Sequence, residues 1–304
     1  MTSTSTVSTA QTAEPSEVLV EPGWLAEHLH DPAVRVVEVD VSPVTYSRGH
    51  IDGAVLWDIY RDLKDPEYRT VDLGALHQLV ARSGIEEAST VVCYGYAPAM
   101  GFWVMKLLGH IDVRILNTSR QSWERAGLPW TEAVPGAARS DYPRRPSLDR
   151  IRADHELVRA AIGDAHWTVA DVRTALEFRG ERFWPSGGMD PQGRAGHVPT
   201  SINVTIEDIY DGDGVFRGKS NLRQVFASFD RSTVGEVITV CTIGGRACTA
   251  WFVLTYLLGR EGVRVYDGSW AEWGRMTGTP VENTWPPTEL ADRSAVAHPG
   301  RRAR

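Results

Sequence analysis

The chain has 304 residues, 42% of them hydrophobic and 23% charged, which excludes wholesale disorder, collagen-like sequence and a chain-long coiled coil. A net charge of -7 provides no general basic face, so neither nucleic acid nor a membrane is expected as a partner. Three cysteines (Cys93, Cys241 and Cys248) are too few for a disulfide scaffold, and their odd number leaves a thiol free, which points to a reducing, cytoplasmic setting.

Residues 1–17 hold no Lys or Arg and no apolar run, so they lack the parts of a secretory signal and read as a disordered tail. No uninterrupted apolar stretch is long enough for a transmembrane helix. A first unit is expected over 18–133, then a Pro-, Arg- and Ser-rich linker over 134–150, a second unit over 151–284, and a loose tail over 285–304.

The two units repeat one pattern. Val34 to Asp58 reads VRVVEVDVSPVTYSRGHIDGAVLWD; His166 to Gly180 reads HWTVADVRTALEFRG and continues, after an insertion, to GHVPTSINV. Each unit holds a strand ending in an acidic residue (Asp40, Asp171) and a Gly-His turn. Each then has an uncharged strand (VVCYG, VITVC), a helix closing on Leu-Leu-Gly, and a VRILNTSRQSW or VRVYDGSWAEW segment. Short β-branched strands alternating with helices predict two α/β domains, each a mainly parallel sheet flanked by helices. In this alignment Gly95 stands where the second copy has Cys241. Gly95 to Gly109 is fourteen positions and Cys241 to Gly259 eighteen, so the first copy is expected to lack about one turn of loop.

Cys241-Thr-Ile-Gly-Gly-Arg-Ala247 follows a buried strand and precedes a helix. Gly244 and Gly245 let the loop curl with its N–H groups inward, and a helix N-terminus favours an anion there, so Cys241 is expected to react as a thiolate. Thr242, Ile243, Gly244, Gly245, Arg246 and Ala247 form the candidate oxyanion cradle. Cys93 and Cys248 read as packing residues, as do Trp251, Trp270 and Trp273. His50 and His197 read as structural, and the histidines show no metal-ligand spacing with the cysteines, so no zinc site is expected.

From about Val18 to Glu282 the chain resembles the rhodanese family, specifically its tandem-domain thiosulfate or 3-mercaptopyruvate sulfurtransferases. The resemblance is carried by CTIGGRA, TAWFVLTYLLG, VRVYDGSWAEWG, DVRTALEFRG, GHVPTSINV and, in the first domain, GHIDGAVLWD. It implies two rhodanese-like domains with a catalytically silent first copy, and Cys241 as the residue that carries sulfur as a persulfide. It further implies a small-molecule sulfur donor, a thiophilic acceptor (cyanide, a thiol or a sulfur-accepting protein), and no metal or organic cofactor. Asp171 and Arg173 match the family's DxR motif and are implied to support the active-site loop; Arg246 is the candidate substrate contact.

The chain departs from the pattern in several places. Thiosulfate users commonly carry Arg or Lys just after the cysteine, whereas this chain has Thr242 and Ile243. Glu177 stands where some relatives have a second substrate arginine, leaving Arg179, Arg182 and Arg194 as substitutes. In the first domain Tyr96, Pro98 and Met100 are candidates for reshaping the pocket. Three alternatives stay open: a phosphatase, disfavoured because Arg246 falls five rather than six positions after Cys241; a persulfide carrier serving a partner enzyme; and a mercaptopyruvate sulfurtransferase.

Overall fold

The computed structural model describes residues 18–136, 138–229 and 235–284. The tails expected at 1–17 and 285–304 lie outside the described residues. In the first half the strands are β1 (Leu19–Val20), β2 (Val34–Asp40), β3 (His50–Ile51), β4 (Val55–Asp58), β5 (Thr90–Gly95), β6 (Val113–Leu116) and β7 (Trp130–Thr131). The second half holds β8 (Arg152–Ala153), β9 (Trp167–Asp171), β10 (Ile202–Asn203), β11 (Glu236–Val240) and β12 (Val263–Tyr266). Two parallel five-stranded sheets result, ordered β1-β6-β5-β2-β4 and β10-β9-β11-β12-β8, while β3 and β7 pair antiparallel. The central β5, free of charge, and β11, charged only at its first residue Glu236, are almost wholly buried, as β-branched runs in parallel sheets require. Both halves are α/β domains, as the alternation of strands and helices predicts.

Strand register shifts one landmark of the repeat. Asp171 pairs with Val240 in β11, and at the equivalent place in β5 Tyr94 pairs with Glu38, not Asp40. Strand β2 runs two residues further than β9, so its terminal Asp40 lies beyond the position of Asp171. Glu38 escaped the sequence comparison because it is a charge inside an apolar run. Each of these buried carboxylates meets an arginine, but from a different part of the chain. Arg173, two residues after Asp171, donates to it at 2.6 Å and to the Gly196 carbonyl at 2.7 Å, with its guanidinium over the Trp270 ring. Arg120, from the segment after β6, donates to Glu38 at 3.2 Å and to the Gly49 carbonyl, and lies over Trp130.

The length difference between the copies is mainly helical, which corrects the expected loop deletion. The first-domain helix is Pro98–Leu107; the second-domain helix is Gly245–Phe252 and continues as a π turn, Val253–Leu257. One of the four extra residues lies in the loop and three extend the helical run. These two equivalent helices pack on each other across the domain boundary. The buried Phe102 ring sits edge-on to Phe252 at 4.9 Å and to Tyr256 at 5.0 Å, and one apolar core runs through both domains. Backbone bonds add to the join: Ser119 N–H donates to the Asp213 carbonyl at 2.7 Å, and Phe216 N–H to Asn117 Oδ1 at 3.0 Å. The connecting segment is pinned to the first domain by Ser140 N–H to the Ala81 carbonyl and Leu148 N–H to the Leu107 carbonyl, both 2.9 Å. No helix among the described residues is long and apolar enough to cross a membrane.

Arg120 supplies the cation beside Glu38, which is fully buried. Burial lifts the Glu38 carboxyl above its usual range even with the Tyr94 hydroxyl and Arg120 opposing it. Arg120→Ala should therefore destabilise the protein by about 3 kcal/mol at pH 8 and by less at pH 5, since proton uptake by Glu38 relieves the uncompensated charge as the pH falls. Urea unfolding at the two pH values measures this; equal losses would contradict it.

Candidate active site

Strand β11 ends at Val240, and Cys241, Thr242, Ile243 and Gly244 turn the chain into the Gly245–Phe252 helix. Gly244 has φ +96°, and a Cβ there would lie 2.7 Å from the Asp267 carbonyl, so both conformation and space demand glycine. This turn aims the Gly244 N–H at Cys241 Sγ, 3.1 Å away. The loop is strapped from below by the Ser269–Trp273 helix: Trp270 N–H donates to the Cys241 carbonyl at 3.0 Å, and Ala271 N–H to the Thr242 carbonyl at 2.9 Å. Ser269, at φ +51°, accepts the Cys241 N–H at 3.1 Å, and its Oγ lies 3.9 Å from Sγ.

A charged network fixes the outer side of the loop. Arg246 grips the fully buried Glu177 with two bonds of 3.0 and 2.7 Å, and Thr242 Oγ1 donates to the same carboxylate at 2.7 Å. Glu177 also forms a capping box with Thr174 at the start of the short Ala175–Phe178 helix. Burial alone would raise the Glu177 carboxyl, but Arg246, Thr242 and Thr174 overcome it and hold it down at about 2. Glu177 thus cancels the charge of Arg246.

The remaining arginines are placed elsewhere. Arg173 and Asp171 are buried behind the loop, where Arg173 joins the β9 end to the Gly196 turn. Arg194 bonds the Gly274, Trp273, Met276 and Thr279 carbonyls, Arg179 pairs with Glu181, and Arg182 reaches Thr174 Oγ1 at 3.1 Å. Of the arginines singled out from sequence, Arg246 alone lines the cavity above Cys241.

That cavity has a volume of 480 Å³ and lies between the domains. Its floor is Cys241, Thr242, Ile243, Gly245 and Arg246; Val41, Tyr60, Tyr96 and Ala97 come from the first domain, and Trp184, Ile206 and Tyr210 close the far side. Gly244 and Ala247 belong to the turn and helix beneath it. Tyr96 faces the cavity, whereas Met100 is core and Pro98 opens its helix. Sequence reasoning missed Tyr60, Trp184 and Tyr210; the Phe183-Trp184-Pro185 cluster in an otherwise polar insertion was the available signal. Cys93 and Cys248 are buried, and burial pushes both thiols up. No group of three acidic, His or Cys side chains that could hold a metal occurs among the described residues. His50 and His197 are buried and bond backbone carbonyls.

Comparison with known proteins gives a consistent result. The Rhodanese-like domain family matches twice, at residues 21–126 and 154–276. The sulfur carrier protein TtuD of Thermus thermophilus is 37% identical over 87% of this chain and 96% of its own. A thiosulfate sulfurtransferase of Corynebacterium glutamicum is 36% identical over 88% of this chain and 90% of its own. A solved structure of an EanB variant with ergothioneine matches the fold at a TM-score of 0.79, with 23% identity over 90% of this chain and 71% of that one.

The depressed Glu177 carboxyl has a stability consequence. Its pKa is about 2 in the fold against 4.5 ordinarily, so its contribution is fully present above pH 4.5 and is lost as pH falls toward 2. Glu177→Gln should cost about 3 kcal/mol at pH 7 and remove that component of the acid-side decline. Urea titrations from pH 2 to 7 decide it; parallel curves for the two proteins would refute the assignment.

Proposed function

Since the chain belongs to the rhodanese family, we propose that it is a sulfurtransferase that carries sulfane sulfur on Cys241. The observation that carries this reading is the Gly244 N–H directed at Cys241 Sγ at the floor of a cavity. In the first half-reaction the Cys241 thiolate attacks the outer sulfur of thiosulfate. The donor S–S bond breaks, its electron pair leaves with sulfite, and Cys241 becomes a persulfide anion. A thiophilic acceptor then attacks the terminal sulfur, and the electron pair of the enzyme S–S bond returns to Cys241. Cyanide leaves as thiocyanate and a thiol as its persulfide. This two-step covalent scheme predicts ping-pong kinetics.

Gly244 N–H stabilises the anion at the sulfur, and the loop's tight turn keeps that donor fixed through both steps. Asp171 and Arg173 support the loop from behind. Arg246 and Thr242 form the wall that a donor's oxyanion meets, with Glu177 holding both in place. The scheme uses no metal or organic cofactor, and a reducing cytoplasm suits a thiol that must stay free.

A second reading is a carrier that passes the persulfide to a protein acceptor. One observation favours it: the likeness to the sulfur carrier protein TtuD. 3-Mercaptopyruvate remains the alternative donor.

Incubation with thiosulfate should add one sulfur, about 32 Da, to the intact mass, and Cys241→Ser should abolish the gain. No gain from thiosulfate or mercaptopyruvate rules the reading out. Comparing kcat/KM for the two donors assigns the substrate, and absence of steady-state thiocyanate formation despite persulfide loading assigns the carrier role.

A further inference from the structure

We propose that Lys64, carried by the first domain, is a positioning cation for the Cys241 loop and supplies the positive charge absent at Thr242 and Ile243; the inference rests on Cys241 being the sulfur-bearing nucleophile. Lys64 follows the Ile59–Leu63 turn of the first domain and is buried under the second. Its Nζ donates to the Asp267 carbonyl at 2.8 Å. A Cβ placed on Gly244 would come within 3.2 Å of that nitrogen, so the ammonium abuts the residue whose N–H points at Cys241 Sγ.

Charge balance explains why a cation is retained there. Among the described residues no carboxylate oxygen lies within ion-pair distance of Nζ. The Asp267 carboxylate accepts Arg152 Nε at 2.8 Å and the Thr70 N–H at 2.5 Å. The Lys64 ammonium is thus left with a carbonyl and no carboxylate in contact among the described residues, while Arg246 and Glu177 cancel on the other side of the loop. A buried cation is costly without a counter-anion. The counter-charge this ammonium faces across Gly244 is the sulfur anion of Cys241, as thiolate or as persulfide. Burial lowers the Lys64 pKa, whereas Asp267 and the Cys248 and Cys241 sulfurs favour its charged form and Arg152 opposes it. The other titratable groups around this pair are Tyr96 from the first domain, Asp171 and Arg173 behind the loop, and Tyr266 and Glu272 with His155 and Arg69 beside Asp267.

Alkylation of Cys241 by iodoacetamide, followed against pH by peptide mass spectrometry, reads the thiol without requiring turnover. Lys64→Gln retains a donor for the Asp267 carbonyl but no charge, Lys64→Met removes both, and Lys64→Arg keeps the charge. With folding verified by circular dichroism, Lys64→Gln and Lys64→Met should both move the reactive midpoint to higher pH and slow alkylation about tenfold at pH 7. Lys64→Arg should stay near the wild-type profile. An unshifted profile in Lys64→Gln overturns the proposal, as does a shift confined to Lys64→Met, since the lysine would then act by packing or hydrogen bonding alone. A wild type that alkylates at Cys241 yet gains no sulfur from either donor instead removes the sulfur-transfer reading, so the two failures are distinct.

Discussion

The cavity exists because two equivalent helices, Pro98–Leu107 and Gly245–Phe252, bury their apolar faces in each other. Phe102 is the centre of that contact, with Trp251, Phe252 and Tyr256 around it. Each helix begins where a central strand ends, so packing them together brings the two strand-end loops to one place. Tyr96 and Ala97 then face Cys241 and Gly245 across a shared space. A continuous aromatic core is a stiffer join than the polar contacts usual between domains in one chain. The first domain can therefore contribute side chains to the site with fixed geometry.

The duplication preserved a physical requirement more closely than it preserved residues. A buried carboxylate on the strand beside the central one must be neutralised, and the carbonyl of the Gly-His turn needs a donor. In the second domain Arg173 meets both demands from the strand end and stacks on Trp270. In the first domain the place of Trp270 is taken by Arg120, which meets the same demands from the other side and stacks on Trp130. Asp40 occupies the position of Arg173, where a second arginine would have no partner. The first copy also has Gly95 in place of Cys241, at φ +107° with the Val39 carbonyl 2.9 Å from any Cβ, so its strand end has no room for a nucleophile's side chain.

Much of this architecture was legible in the sequence because it rests on local patterns: charge-free β-branched strands, Gly-His turns, and a Gly-Gly pair between strand and helix. The strand–loop–helix arrangement around Cys241 follows from five or six neighbouring residues. What could not be read depends on contacts far apart in the chain. The bond from Lys64 to the Asp267 carbonyl spans 203 positions, and no periodicity marks a lysine that will be buried. Register was misjudged because an acidic residue at a strand's end is easier to see than Glu38 within it. Arg179, Arg182 and Arg194 were indistinguishable in sequence, since a guanidinium bonding backbone carbonyls and one facing a ligand have the same local surroundings.

The distribution of charge bears on which anion the loop can hold. A phosphate cradle needs several converging donors and an arginine free to grip two oxygens. Here the Arg246 guanidinium is committed to Glu177 and Thr242, and Glu177 remains ionised well into acid. The Lys64 ammonium lies behind Gly244, bonded to a carbonyl. A lone cation there suits one negative charge on a sulfur atom. The overall acidity of the protein does not alter this, because surface charges are screened within about 8 Å at physiological salt, whereas buried groups act on one another through protein.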